Sequence, residues 1–352
     1  MGSEKLGGSA RQMHMSRIMD NRLSRRAVSL GMTGLALANL SVKLPLTFGA
    51  ASEVKRTPEE RFRNLPGYDF APNYIDVENS QTGPLRMHYI DEGPRDGHVI
   101  LCLHGQASWS YLYRSMIPIL VGRGFRVVAP DYVGFGRSDK LAADTDYSYQ
   151  AHIDWLRSFL SALKMKDVTA FLFDWGGQFG LRIAAESPKF FNRIILSNTL
   201  FPLGPQERSD EFVEWAEKIV KEPVFPIGQM VRKGVVRELS NEVIAAYDAP
   251  FPDESFKAGP RSFPMIMPIA ADRPGVSENR TAWQKLAKWE KPLLTLFSKR
   301  SAETEVPPVK IQKHIPGAKG QPHALLSDAG FFIAEDKPAE LVDRITDFVR
   351  TN

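Results

Sequence analysis

The segment Phe171-Leu172-Phe173-Asp174-Trp175-Gly176-Gly177 predicts a buried strand that turns abruptly into a helix. An apolar run precedes the turn, and two glycines follow it where a helix would begin. A turn of this kind exposes the side chain at its tip, as in a nucleophile elbow. The tip residue here is Asp174, and a plain N-cap of the following helix is the alternative interpretation of that aspartate.

Strand-like and helix-like segments alternate on both sides of this turn, from about residue 73 onward. Residues 99–104 and 126–132 have the apolar runs of strands, and residues 150–163 have the spacing of an amphipathic helix. This β-α-β rhythm predicts an α/β fold in which helices cover both faces of a mostly parallel sheet.

Between residues 203 and 288 the rhythm of strands and helices stops. This stretch is rich in Pro, Phe and Trp and has no strand-like run, which predicts an inserted, mainly helical cap. The α/β core is accordingly expected over residues 52–202 and 289–352. A chain of about 300 residues can bury a large core as one α/β domain with an insertion.

The composition is that of a globular protein, and its basic character lies near the start of the chain. With 43% hydrophobic and 24% charged residues, disordered and collagenous classes are excluded. The formal net charge is +4, but residues 1–51 hold seven of the 45 Lys and Arg residues and two of the 41 Asp and Glu residues. The remaining body has a charge of −1, without the clustered cations that bind phosphates. No nucleic-acid partner is therefore expected.

Residues 1–51 are predicted to be an export signal that is removed from the mature protein. The pair Arg25-Arg26, preceded by Ser24, leads into a mildly apolar run from residue 27 to residue 42. The arginine pair resembles a twin-arginine signal. The apolar run is shorter than the roughly 20 residues that span a bilayer. The sequence therefore predicts a periplasmic or secreted protein.

Four further motifs flank the Asp174 turn in order along the chain. They are Leu103-His104-Gly105-Gln106-Ala107-Ser108-Trp109, Asp131-Tyr132-Val133-Gly134-Phe135-Gly136-Arg137-Ser138-Asp139, Ala249-Pro250-Phe251-Pro252-Asp253 and Gly320-Gln321-Pro322-His323. Together with the turn, they resemble the haloalkane dehalogenases of the α/β-hydrolase superfamily. The subfamily that binds halide between two tryptophans is the most similar. The resemblance covers residues 74–349 and implies an α/β-hydrolase fold with an inserted cap.

The resemblance assigns roles to four residues. Asp174 would be the nucleophile that displaces halide from carbon and forms an alkyl-enzyme ester. Trp175 would donate its indole N–H to the halide, and Trp215 of the cap would be the second donor. The backbone N–H groups of Gln106 and Trp175 would form the oxyanion hole. This chemistry is physically reasonable, because a desolvated carboxylate aimed in line is a competent nucleophile at neutral pH.

Three aromatic residues of the cap are expected to line an apolar substrate pocket opposite Asp174, namely Phe212, Phe225 and Phe251. The alternative for these residues, and for Trp215, is packing within the cap's own core.

Two positions depart from the family pattern. Where the family has its catalytic histidine, this chain has Phe331, in Ala329-Gly330-Phe331-Phe332. Where the family has its catalytic acid, this chain has Ser301, and the acid site of a sister subfamily is filled by Asn198-Thr199. His104 matches a structural histidine of the family, and His323 is expected at the far end of the sheet. The triad therefore lacks its base and its acid.

Two functions remain open from the sequence. One is a dehalogenase-like hydrolase in which Asp174 forms the ester and turnover is slow. The other is a non-catalytic homologue that binds or traps small hydrophobic molecules. In both cases the expected partner is a small hydrophobic or halogenated molecule. No cofactor and no metal are expected, and the protein is expected to be a monomer.

Three other enzyme classes are disfavoured. Epoxide hydrolases need two cap tyrosines, and the cap holds one, Tyr247. A lipase or esterase needs Ser or Cys at the elbow tip. A metal enzyme needs a His/Asp/Glu cluster at ligand spacing, which is not found.

Overall fold

An eight-stranded sheet forms the centre of the fold. A computed structural model describes residues 52–79, 83–205, 210–304 and 308–352. Within those residues the strands are β1 (Val54–Lys55), β2 (Asn73–Val77), β3 (Leu85–Glu92), β4 (Val99–Leu103), β5 (Arg126–Pro130), β6 (Lys140–Leu141), β7 (Val168–Phe173), β8 (Phe191–Ser197), β9 (Leu293–Ser298) and β10 (Ala324–Leu326).

The order of the strands in the sheet is β10-β9-β8-β7-β4-β5-β3-β2, and β1 pairs separately with β6. The six strands from β10 to β5 are parallel, and β3 and β2 add antiparallel strands at one edge. The carboxyl ends of the parallel strands therefore lie along a single edge of the sheet, which is where open α/β sheets bind their ligands.

Helices cover both faces of the sheet. In the described part of the chain they are α1 (Ile117–Gly122), α2 (Tyr149–Ala162), α3 (Trp175–Glu186), α4 (Asp210–Lys221), α5 (Ile227–Lys233), α6 (Asn241–Asp248), α7 (Ala258–Ile266), α8 (Val276–Leu286), α9 (Lys299–Thr304), α10 (Val309–His314), α11 (Ile333–Asp336) and α12 (Pro338–Thr351). Short 3₁₀ helices occupy Glu59–Phe62, Ser110–Tyr113, Asp144–Asp146, Glu254–Phe256 and Pro316–Ala318.

The central strand β7 shows why the sheet must be covered on both faces. All six of its residues are buried. Ala170 and Leu172 point into one apolar cluster, and Phe171 and Phe173 point into the other. A strand that is apolar on both sides is typical of a parallel sheet between helices. The predicted α/β class, with helices on both faces of a mostly parallel sheet, is confirmed.

Five helices, α4 to α8, follow β8 and precede β9. The described residues belong to one compact unit, Gly49–Asn352. The division into core and cap at residues 203 and 288 stays a prediction. Residues 1–51, where the export signal is predicted, lie outside the described residues. No helix within the described ranges is both long and apolar enough to cross a membrane.

Candidate active site

Asp174 stands at a strained turn between β7 and α3. Its backbone has φ 51° and ψ −117°, a conformation that is sparsely populated for a residue with a side chain. Only 8% of the residue surface is exposed, and the carboxylate caps no backbone N–H of α3. Capping of helix α3 therefore does not explain why an aspartate occupies position 174. The strain is typical of a residue held for function at the end of a strand.

The loop after β4 brings a backbone donor to the Asp174 carboxylate. The N–H of Gln106 donates to Asp174 Oδ2 at 2.9 Å. This approach requires glycine at position 105, because a Cβ there would lie 2.3 Å from the same oxygen. A Cβ on Gly176 would likewise lie 2.3 Å from the carbonyl oxygen of Leu103. Gly105 thus lets the loop after β4 approach the carboxylate, and Gly176 lets the start of α3 approach the end of β4.

Trp175, the first residue of α3, lies in an aromatic cluster and is 1% exposed. Its ring is 4.2 Å from that of Phe263 of α7, at an interplanar angle of 31°. The rings of Tyr149 and Phe179 lie 6.1 and 5.5 Å away. No sequence motif singles out Phe263. The available signal was its place in an apolar, proline-containing stretch of the cap.

The cap residues predicted to line the site are described only in part. The backbone of Phe212 and Trp215 belongs to α4, but their side chains lie outside the described part of the protein, so their roles stay predictions. Phe225 and Phe251 are buried, at 0% and 4% exposure. The ring of Phe225 lies under the Arg261 guanidinium, and that of Phe251 lies 5.8 Å from the Lys140 ammonium. Their pocket role also stays a prediction.

Phe331 and Ser301, the two positions at which the sequence predicts that a base and an acid are missing, lie at the same sheet edge as Asp174. Phe331 packs its ring 5.2 Å from that of Phe173, the residue before Asp174. Ser301, in α9 directly after β9, is 1% exposed, and its N–H donates to Ser298 Oγ at 3.2 Å. Neither side chain can act as a base at neutral pH.

Asn198 connects the end of β9, which precedes Ser301, to the loop that carries Phe331. It follows β8 with φ 39°, and its amide nitrogen donates to the Phe331 carbonyl at 2.7 Å. Its amide oxygen accepts the N–H of Ser298 at 2.9 Å. A single amide therefore holds the loops that carry Phe331 and Ser301. Sequence motifs mark Asn198 only as standing at the acid position of a sister subfamily, because these bonds join residues 100 and 133 positions apart.

The histidines described in the structure are engaged away from Asp174. Their polar partners or ring contacts are Asp131 for His88, Thr169 for His98, Gly105 and Tyr132 for His104, Phe179 for His152, Trp283 for His314, and Thr295 and Ala318 for His323. Burial lowers the pKa of His104 to about 4 and that of His152 to about 3. His323 directly precedes β10, at the amino end of that strand.

Two buried phenols interact with the Asp174 carboxylate. Burial, together with the Asp174 charge, raises the pKa of Tyr132 well above its ordinary value. Burial likewise raises the pKa of Tyr113, with Asp174 as a smaller cause. Both groups therefore stay protonated and cannot serve as bases. Tyr247, the one tyrosine of the predicted cap, donates to Glu335.

No group of three or more potential metal ligands is found among the described residues. The described part of the site consists of an aspartate with a backbone donor, an aromatic surround and the uncharged side chains of Phe331 and Ser301. This geometry can support nucleophilic attack by a carboxylate.

Comparisons with known proteins agree with this architecture. Residues 98–237 match the sequence model of the alpha/beta hydrolase fold. A haloalkane dehalogenase of Psychrobacter cryohalolentis is 46% identical over 300 residues, covering 85% of this chain and 99% of the relative. One from Mycolicibacterium paratuberculosis is 48% identical, covering 83% and 97%.

Solved structures give the same result. The tetrameric haloalkane dehalogenase DpaA of Paraglaciecola agarilytica NO2 has a TM-score of 0.75 and 32% identity, with 83% of this chain and 97% of that chain covered. DbeA of Bradyrhizobium elkani, at 21% identity and a TM-score of 0.67, covers 81% of this chain and all of its own, and shows the fold alone. The fold, together with the strand–turn–helix segment at Asp174, thus defines an α/β hydrolase. Within that superfamily, the chain belongs to the haloalkane dehalogenase family.

Proposed function

We propose that the protein captures small alkyl halides as covalent esters of Asp174 and hydrolyses those esters slowly. An oxygen of the carboxylate attacks the halogenated carbon, a C–O bond forms, the C–halogen bond breaks and halide leaves. Trp175, with Trp215 as the proposed second donor, would hold the departing halide. The relatives named haloalkane dehalogenase support this substrate class.

The observation that carries the proposal is the contrast between the two halves of the site. The attacking half is in place, with Asp174 Oδ2 accepting the Gln106 N–H. The hydrolytic half has a phenyl ring at position 331, packed on Phe173, and a hydroxyl at position 301. General base assistance contributes about 10²–10⁴-fold to a rate. Its loss therefore makes ester hydrolysis the slow step while attack remains possible.

Intact-protein mass spectrometry after incubation with a 1-bromo- or 1-iodoalkane tests the proposal. We expect one added alkyl group per chain, located on the peptide that contains Asp174, with one equivalent of halide released in a burst. The Asp174→Asn variant is the control, because an amide oxygen is a far weaker nucleophile, and it should gain no alkyl group.

Two other outcomes lead to different conclusions. Sustained halide release over many turnovers would show that a group other than residue 331 activates water. Absence of both adduct and halide release would favour the second candidate, a non-catalytic homologue that binds small hydrophobic molecules.

We also propose that the protein is a monomer. Residues of the described part of the site already bind one another within a single chain, because Gln106 donates to Asp174 and Asn198 donates to Phe331. DpaA is described as tetrameric. Light scattering after size-exclusion chromatography distinguishes the two states, and a mass of four chains would contradict the monomer.

A further inference from the structure

Helix α7 of the region between β8 and β9 contacts the candidate site at two points. Phe263 packs on Trp175, as described above, and the carbonyl oxygen of Pro260 accepts a hydrogen bond from Gln106 Nε2 at 3.2 Å. The helix also lies close to the loop after β5, because a Cβ on Gly259 would be 2.8 Å from the Cα of Gly134. The α7 helix is thus in direct contact with the site.

A proline explains why the Pro260 carbonyl accepts a bond from outside its helix. In an α-helix this carbonyl would accept the N–H of the residue four positions later, which is Pro264. Proline has no N–H, so the intrahelical bond cannot form. Pro260 is buried, and a buried carbonyl without a donor is unfavourable. The side-chain amide of Gln106 provides the missing donor.

Gln106 therefore makes two contacts with different parts of the protein. Its main-chain N–H donates to Asp174 Oδ2, and its side chain donates to α7. The next residue, Ala107, has φ 59°, so the loop is held in a conformation that it would not adopt without support. A shift of α7 would remove the anchor of the side chain and with it the support of the main-chain N–H.

We infer that Gln106 is a positioning residue through which helix α7 fixes the backbone donor on the Asp174 carboxylate. One N–H of its Nε2 is donated to Pro260, and it is through this bond to α7 that the side chain supports the main-chain N–H. This inference rests on the proposed function only in so far as alkylation of Asp174 is used as one of its readouts.

Two substitutions form a cycle that tests the inference. Gln106→Met keeps the length of the side chain and removes the donor. Pro264→Ala restores the intrahelical N–H, so that the Pro260 carbonyl no longer depends on Gln106. We expect Gln106→Met to slow alkylation by a 1-bromoalkane about tenfold, which corresponds to about 1.4 kcal/mol. In the Pro264→Ala background the same substitution should cost no more than about twofold.

Hydrogen exchange provides a readout that needs no alkylation. Gln106→Met should speed amide exchange in the peptide that contains residues 258–266, and Pro264→Ala should reverse that effect. Gln106→Asn, whose shorter amide cannot reach Pro260, is the second variant should the Met protein fold poorly. It should behave like Gln106→Met.

The outcomes separate this inference from the proposed function. If the wild-type protein forms no adduct with any haloalkane, the proposed function is wrong, and the exchange measurements still decide the role of Gln106. Unchanged exchange in residues 258–266 would overturn the inference. An equal loss of alkylation rate in both backgrounds would overturn it too, because the side chain would then act directly on the reaction.

Discussion

Residue 331 separates the two chemical steps of the proposed reaction. A carboxylate, an in-line carbon and a halide donor are enough for attack, whereas hydrolysis needs a base. Asn198 still holds the Phe331 carbonyl and the N–H of Ser298. The segments that carry Phe331 and Ser301, the positions at which the resemblance predicts a base and an acid, are therefore joined by one amide.

The first prediction is that two substitutions together restore turnover. Phe331→His alone should raise ester hydrolysis less than tenfold, because Ser301 cannot orient and compensate an imidazolium as a carboxylate does. Phe331→His with Ser301→Asp should raise it by about 10²-fold, since members of a triad act as a unit. Steady-state halide release measures the effect.

Phe332→His with Ser301→Asp is the matched control for this prediction. Phe332 is on the same loop and also packs on Phe173, but its N–H is bound to the Gly234 carbonyl. This pair should gain no turnover. Equal gains from the double variant and from the two single variants added together would show that the positions do not act as a triad.

The motifs of the sequence singled out Asp174, Gln106 and Phe331, but they did not indicate which distant residues support Gln106 and Phe331. The bond from the Gln106 side chain to Pro260 spans 154 positions, and that from Asn198 to Phe331 spans 133. Such contacts depend on how separate segments pack against one another. A short motif therefore identifies a side chain more readily than its partner.

At the scale of elements, a buried ion pair joins three segments behind the site. Arg114, after the 3₁₀ helix Ser110–Tyr113, forms a bidentate pair with Glu335 of α11, and Tyr247 of α6 donates to the same carboxylate. The Arg114 and Glu335 side chains are 5% and 1% exposed. The network links α6 to the loop that carries Phe331.

The second prediction concerns this network. Tyr247→Phe should lower the free energy of unfolding by about 2 kcal/mol, because it removes a buried hydrogen bond to a charged group. Tyr74→Phe is the matched control, since the Tyr74 hydroxyl donates to Glu59 in an exposed position. Its effect should stay below about 0.5 kcal/mol. Urea unfolding checks both values, and equal losses would mean that the Tyr247 bond is no stronger than a surface contact.

The order of elements was largely predictable, because apolar runs and helical periodicity are local properties of the chain. The strands predicted around residues 99–104 and 126–132 agree with β4 and β5, and the helix predicted over residues 150–163 agrees with α2. The two-residue strands β1 and β6 were not predicted. They are too short to show a period and form only because they pair with each other.

For the molecule as a whole, folding stability at acidic pH depends on a fully buried carboxylate, that of Asp131. Asp131 accepts hydrogen bonds from His88 Nδ1 at 2.7 Å, the Ser110 N–H at 2.7 Å and the Arg137 N–H at 2.9 Å. Burial raises the pKa of Asp131, but His88 and the hydrogen bonds outweigh it and hold that pKa below its ordinary value. The ionised carboxylate therefore stabilises the fold above about pH 4, and this stability is lost as pH falls further.

The third prediction follows from the sign of this shift. Asp131→Asn should lower the free energy of unfolding at pH 7 by about 3–5 kcal/mol, because a buried partner is left unpaired. The stability of the variant should then change less between pH 5 and pH 3 than that of the wild type. Asp76→Asn, at an exposed position on β2, is the control and should keep the wild-type pH dependence. If the free energy of unfolding of Asp131→Asn fell between pH 5 and pH 3 as steeply as that of the wild type, the prediction would be contradicted.

The last prediction is that the chain is exported and that its leader is cleaved before residue 54. The basic residues concentrated in 1–51, including Arg25-Arg26, motivate export. The folded body limits where cleavage can occur. Val54 pairs with Leu141 in the two-stranded sheet, Arg56 binds Asp139, and Thr57 donates to the Pro250 carbonyl at 2.6 Å. Cleavage beyond Val54 would remove contacts that join the start of the body to β6 and to the loop after α6.

N-terminal sequencing of protein recovered outside the cytoplasm should therefore give a start between residues 51 and 54. Replacing Arg25 and Arg26 together with lysine should leave the unprocessed chain in the cytoplasm, because the twin-arginine pair is what the export machinery recognises. Arg22→Lys, a basic position outside the pair, is the control and should be exported normally. An intact N-terminus on a wild-type cytoplasmic product would overturn the prediction. The mature body should also focus at a lower isoelectric point than the full chain, since removing residues 1–51 changes the formal net charge from +4 to −1.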